Sequence, residues 1–176
     1  YYITNQNQTA QEELFQAQFY FDADSWGLAL NGDGNSYGFL EIIEEFPGTK
    51  AANLSRFYAG ASFLKQGDFD GAIRQLKEFS SDDYLLQGRA YSLIGDAYME
   101  MDDFSNAISY YNRAVDYKEN ESFTPIYLKK LAIAQEQEGS LAAAANTYGV
   151  IVSDYPNSTQ IHDAKKQKAR LEALAQ

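Results

Sequence analysis

The chain has 176 residues, with 14 Lys+Arg against 25 Asp+Glu and a formal net charge of −11. A hydrophobic share of 45%, 15% aromatics and only 3 Pro exclude a disordered or collagen-like chain. Cys is absent and His162 is the only histidine, which removes disulfides, a Cys nucleophile and the ligand set of a zinc centre. The charge is uneven: residues 1–88 carry 5 basic and 13 acidic side chains, residues 89–176 carry 9 and 12. Neither half holds the basic stripe that phosphate backbones require, so nucleic acid is not expected as a partner.

Residues 9–30 place Phe15, Phe19, Trp26 and Leu30 near helical spacing, which predicts one long amphipathic helix. A turn over Asn31 to Asn35 follows, then a helix over 36–46 that closes at Phe46-Pro47-Gly48. Gly34-Asn35-Ser36-Tyr37-Gly38 has the spelling of a nucleophile elbow. That motif needs a strand before it, and here a helix precedes it; His162 is the only candidate base. Asn31-Gly32-Asp33-Gly34-Asn35 hints at a calcium loop, yet the sixth and twelfth positions are Ser36 and Ile42 instead of Gly and Glu. Both motifs read as a turn that uses the conformational freedom of Gly and Asn.

Three later stretches align with one another: Gly60 to Ile73, Gly95 to Ile108 and Ala132 to Ala145, at offsets of 35 and 37 residues. Each reads as two helices joined at Gly67-Asp68, Asp102-Asp103 or Gly139-Ser140, where Asp68, Asp103 and Ser140 are placed to cap the second helix. Gly60, Gly95 and Ala132 fall mid-helix, and Ala72, Ala107 and Ala144 follow twelve residues later. A helical Gly costs ~1 kcal/mol against Ala, so its recurrence predicts a close contact, small residue against small residue. The acidic pairs Asp82-Asp83 and Asp102-Asp103 read as helix starts rather than acid–base catalysts. The basic cluster Lys165, Lys166, Lys168 and Arg170 reads as a solvated face of a final helix. Phe63, Phe69, Tyr98, Phe104, Tyr111 and Tyr148 read as core. The units are 9–50 (a diverged helix pair), 51–84, 85–121, 122–157 and a capping helix over 158–176, one domain of about nine helices. No run is long and apolar enough for a membrane span, and no signal peptide is visible.

The repeated Gly, Tyr/Phe and Ala positions resemble the tetratricopeptide repeat. The second unit carries the resemblance most fully, at Tyr91, Gly95, Tyr98, Phe104, Ala107, Tyr111 and Ala114. The first matches at Gly60, Phe63, Phe69 and Ala72, and departs at Arg56, at Phe79 and in its lack of a closing Pro. The third matches at Leu128, Leu131, Ala144, Tyr148 and Pro156, with Gln135 replacing a Tyr. The runs Leu28 to Asn35, Gly38 to Ile43 and Gly48 to Ala51 are similar to membrane-anchored bacterial repeat proteins, whose layout is that of the ancillary translocon-associated subunit.

The resemblance implies an all-α, right-handed solenoid of helical hairpins and a non-enzymatic scaffold that binds a protein or peptide segment in its concave groove. Catalytic, cofactor-binding and metal-binding residues are not expected. The family's concave positions correspond to Leu54, Phe57, Ala61, Leu64 and Lys65 in the first unit. In the second they are Arg89, Ser92, Asp96, Met99 and Glu100, and in the third Ile126, Lys129, Ile133, Glu136 and Gln137. Relatives that clamp a terminal carboxylate use Lys and Asn where this chain has Phe57, Ala61 and Leu93, so no such clamp is expected. Leu54, Phe57 and Leu64 would form an apolar wall, unless the N-terminal helix lies over it. A structural or oligomerisation module and a small-ligand-binding solenoid are the alternatives. Because the chain begins at Tyr1 without a Met, the resemblance also leads to the expectation of an upstream membrane segment with this domain in the periplasm; the cytoplasm is the alternative.

Overall fold

The computed structural model describes residues 2–174, with side chains from residue 6 onward. Among them are ten helices and no strand: α1 (Tyr2–Asp22), α2 (Trp26–Asn31), α3 (Phe39–Glu45), α4 (Lys50–Gln66), α5 (Phe69–Glu78), α6 (Tyr84–Glu100), α7 (Phe104–Asp116), α8 (Thr124–Gln137), α9 (Leu141–Asp154) and α10 (Ile161–Leu174). The fold is all-α and built of helical hairpins. It divides into two compact units, Tyr1–Ser80 and Ser81–Gln176.

The first unit holds α1 to α5. The helix expected over 9–30 is two helices, because the chain turns at Ala23-Asp24-Ser25. Asp24 takes a left-handed φ of 57°, Ser25 N–H donates to Tyr20 O at 2.9 Å, and Asp24 N–H to Phe21 O at 3.1 Å. This paired closure is the Schellman stop. It recurs where Gly67 (φ 80°), Asp102 (φ 56°) and Gly139 (φ 92°) end α4, α6 and α8. Asp68 and Asp103 then cap α5 and α7 by accepting from Gly71 and Asn106 N–H. Ser140 makes no such cap bond; its hydroxyl donates to Glu138. Asp83 accepts from Leu85 and Leu86 N–H at the start of α6, as the reading of the acidic pairs expected.

The core of this unit joins Ala10, Leu14 and Ala17 of α1 to Ala29, Leu30, Phe39, Ile42, Ala51 and Ala59. Phe21 sits among three rings, with centroids 5.1 Å from Trp26, 5.0 Å from Tyr58 and 6.3 Å from Phe39. The loop after α2 is tied back to α1. Asp33 accepts from Asn35 and Ser36 N–H and from the Tyr20 hydroxyl, while Tyr37 N–H donates to Glu13. Gly38 is required there, since a Cβ would lie 2.3 Å from Leu30 O. Ser36 is therefore in a loop between short helices, with no strand before it. The Asp33 oxygens accept from N–H and O–H donors of the loop and of α1.

The second unit stacks α6 to α10, each helix packing on the next. What lies nearest each mid-helix glycine is a large side chain of the partner helix. A Cβ on Gly95 would meet the Tyr111 ring at 2.5 Å, and one on Gly60 in the first unit would meet Leu76 Cγ at 2.4 Å. The space over each glycine is filled by a large side chain sixteen residues on. Ala132 and Tyr148 occupy the corresponding positions of the third repeat and share one core cluster. The departure at Gln135 is also answered within its hairpin. Tyr98 stacks on Tyr110 with centroids 5.7 Å apart, whereas the equivalent Gln135 accepts from the Thr147 hydroxyl at 2.7 Å. Tyr111 and Tyr148 are buried; Phe63, Phe69, Tyr98 and Phe104 are half-buried.

Candidate functional site

Along α4 the expected groove positions have different fates. Leu54 is half-buried and packs into the core that α1 shares. Phe57 is 5% exposed, with its ring 5.3 Å from Phe79 and 5.6 Å from Tyr58. Its apolar surface is already used for packing, so it is no open wall for a partner. Ala61 and Leu64 are half-buried, and Lys65 at the end of α4 is exposed. Arg56, where the repeat pattern prefers Trp, reaches across to Glu78 at 2.7 Å.

In the second unit the expected positions on α6 and α8 come together with α10 through ion pairs. Lys130 on α8 donates to both carboxylate oxygens of Asp96 on α6, at 2.7 and 2.9 Å, and to the Ser92 hydroxyl at 3.0 Å. Asp96 also accepts from the Tyr111 hydroxyl at 2.7 Å. Lys129 pairs with Asp163 of α10 at 2.7 Å, and Arg170 of α10 returns to Glu136 at 2.6 Å. Ser92 is 2% exposed and serves to hold Lys130. Burial first, then the Asp96 charge, pushes the Tyr111 phenol far above its ordinary value. The hydrogen bond from Lys129 holds Asp163 below the usual carboxylate range.

Sequence reasoning placed Asp96, Lys129 and Glu136 on this face but missed Lys130, Asp163 and Arg170. A signal was present: each of the three pairs joins residues 34 apart, one spacing shared by three opposite-charge pairs. Each pair is part-exposed and contributes at most ~0.2–1 kcal/mol. Their larger effect is on what the face offers. The charges of Asp96, Lys129, Lys130, Glu136, Asp163 and Arg170 are used internally. Ile126 and Ile133, two turns apart on α8 and each 37% exposed, remain open. Arg89 and Glu100 are exposed on α6, as is Gln137 at the end of α8. Among the described residues no cluster of three or more His, Asp or Glu could hold a metal ion, and His162 is exposed on α10.

The sequence between α6 and α9 decides the repeat type. Residues 88–121 and residues 130–158 each match the tetratricopeptide repeat. Over those two segments the sequence is similar to that repeat family. The two matches lie in α6–α7 and α8–α9, the hairpins with the filled Gly/Ala holes. Among solved structures the chain is similar to a Podosopora anserina protein, described as a kinesin light chain with nearly identical TPR-like repeats. The TM-score is 0.70 at 11% identity, covering 93% of this chain and 85% of the other. At that identity the likeness shows the fold alone. No curated protein matches the sequence. Among the described residues no helix is long and apolar enough to cross a membrane.

Proposed function

We propose that this chain is a protein-interaction module whose α6–α8–α10 face takes an apolar segment of a partner protein. Tetratricopeptide repeats are protein- and peptide-binding modules, and the two matched segments supply most of α6 and half of α8 in this face. The observation that carries the reading is the pairing of the interhelical charges, which leaves Ile126 and Ile133 exposed in an otherwise neutralised surface. Such a face suits apolar side chains better than a terminal carboxylate, because Lys129, Lys130 and Arg170 already have carboxylate partners. Arg89, exposed on α6, adds a single donor.

In vivo photocrosslinking from positions 89 and 100, both exposed on α6, tests this. The expected result is one recurrent protein partner, lost in an Ile126→Asp/Ile133→Asp variant that stays folded. An unchanged set of captured proteins in that variant overturns the assignment. The same reading takes the domain to be held at a bacterial inner membrane by a segment upstream of Tyr1, facing the periplasm. The resemblance of the runs between Leu28 and Ala51 supports it. A complete gene whose frame opens within a few residues of Tyr1, with no apolar span, would end it.

A further inference from the structure

The outer face of α1 carries a second surface, separate from the repeats. Ala10, Leu14 and Ala17 point into the core and are fully buried. The opposite stripe runs Gln8, Gln11, Glu12, Phe15, Phe19 and Asp22, at helical spacing. Phe15 is 72% exposed and Phe19 is 60% exposed. Phe15 has no ring partner among the described residues, and Phe19 meets only the edge of Tyr20, at 5.9 Å. Beside Phe15 lies a shallow depression of about 520 Å³ lined by Gln8, Gln11, Glu12 and Phe15. A second, of about 590 Å³, adjoins it along Gln8 and Gln11 and reaches Lys50 and Ala51.

Two aromatic rings one turn apart on an exposed helix are the pattern of an anchor for another helix. Charge decides which kind. The helix contains Glu12, Glu13 and Asp22 and no Lys or Arg, and Glu12 and Asp22 bracket the two rings on the stripe. The whole first unit holds five Lys and Arg against eleven Asp and Glu. A second copy would bring the same carboxylates face to face, and an anionic lipid surface would be repelled. We propose that Phe15 and Phe19 dock an amphipathic helix of a partner protein, one with apolar residues flanked by Lys and Arg. The inference does not rest on the α6–α8–α10 face.

The test is selection from a displayed library of 18-residue helix-forming peptides against the whole chain. Binders retained by a Phe15→Ser/Phe19→Ser variant are discarded. The expected survivors are apolar helices with Lys or Arg at their flanks. Their synthetic forms should bind wild type at least tenfold tighter than the variant and weaken in Glu12→Lys/Asp22→Lys. They should be unaffected by Ile126→Asp/Ile133→Asp, which separates this surface from the other. Survivors with neutral or acidic flanks, or none that distinguish the Phe variant, overturn the proposal. So does a wild-type dimer in sedimentation that the Phe variant abolishes, since a second copy is then the occupant. Binding to phosphatidylcholine/phosphatidylglycerol vesicles that the Phe variant abolishes overturns it in favour of lipid.

Discussion

The two units solve the same packing problem by different means. In Ser81–Gln176 the solutions repeat: a hole at Gly95 or Ala132, a ring at Tyr111 or Tyr148, and ion pairs between helices that join residues 34 apart. In Tyr1–Ser80 only the α4–α5 hairpin shares these means, with Leu76 over Gly60, and the rest are singular. Phe21, Trp26, Phe39 and Tyr58 form one ring cluster, and α2 and α3 are separated by a loop fixed through Asp33 and Glu13. A repeated device announces itself in sequence because each copy corroborates the others. A singular one has no second copy to be compared with.

The largest expected effect separates packing from partner binding in the first unit. Phe57→Asp removes a buried ring and places a carboxylate between Phe79 and Tyr58. The lost ring costs ~3–5 kcal/mol, and the buried charge adds to it. The first unit should unfold, and Trp26, the only tryptophan, reports on it directly. A native Trp26 emission spectrum in this variant would mean that Phe57 is an open surface after all.

Next come the holes. Overpacking by a Leu costs typically ~1–3 kcal/mol. Gly95→Leu should lie at the upper end and Gly60→Leu lower. The Tyr111 ring facing Gly95 is fixed at its hydroxyl by Asp96, whereas Leu76 facing Gly60 is held by packing alone. Denaturant melts of the two variants check the order. Equal losses would mean that the Asp96 bond does not restrain the ring.

These two cases show what was readable in advance. The repeat type, the turns, the acidic caps at Asp68, Asp83 and Asp103 and the importance of Gly60 and Gly95 were all legible, because spacing and capping are local. What faces each glycine was not, since the partner sixteen residues on lies across the hairpin. The break after α1 was hidden for a different reason. Its left-handed stop is Asp24; Asp102 makes the same stop after α6, but there the aligned Gly67 and Gly139 mark the place, and Asp24 has no aligned copy. Asp tolerates that conformation at a modest cost but does not advertise it. The burial of Phe57 depended on Phe79, a position at which the repeat pattern expects a small residue.

A smaller effect probes the ion pairs. Lys130→Met keeps the stem and removes the charge, leaving Asp96 with the Tyr111 hydroxyl as donor. The pair is part-exposed, so the loss should be ~0.5–1 kcal/mol. A double-mutant cycle with Asp96→Asn should return a coupling of that size, and a coupling near zero would make the pair ornamental.

The smallest effect is one of pH, and it also distinguishes the units. Lys129 lowers the folded pKa of Asp163 below its ordinary 3.8, so as pH falls the unfolded chain takes up this proton first. The pair's contribution is therefore complete above about pH 3.8 and disappears as pH drops through the lower folded value. Asp163→Asn should weaken the amide protection of α10 slightly at neutral pH, and the difference from wild type should close as pH falls through the lowered folded value. Added salt should shrink the neutral-pH difference, because the pair is partly in water. In the first unit Asp33 is also held low, by the Tyr20 hydroxyl and two backbone N–H groups, so acid loosens its loop too. That response should persist in Asp163→Asn, and it should be missing from an Asp33→Asn variant that keeps the response of α10. If one substitution silences both, the two units do not answer to acid separately.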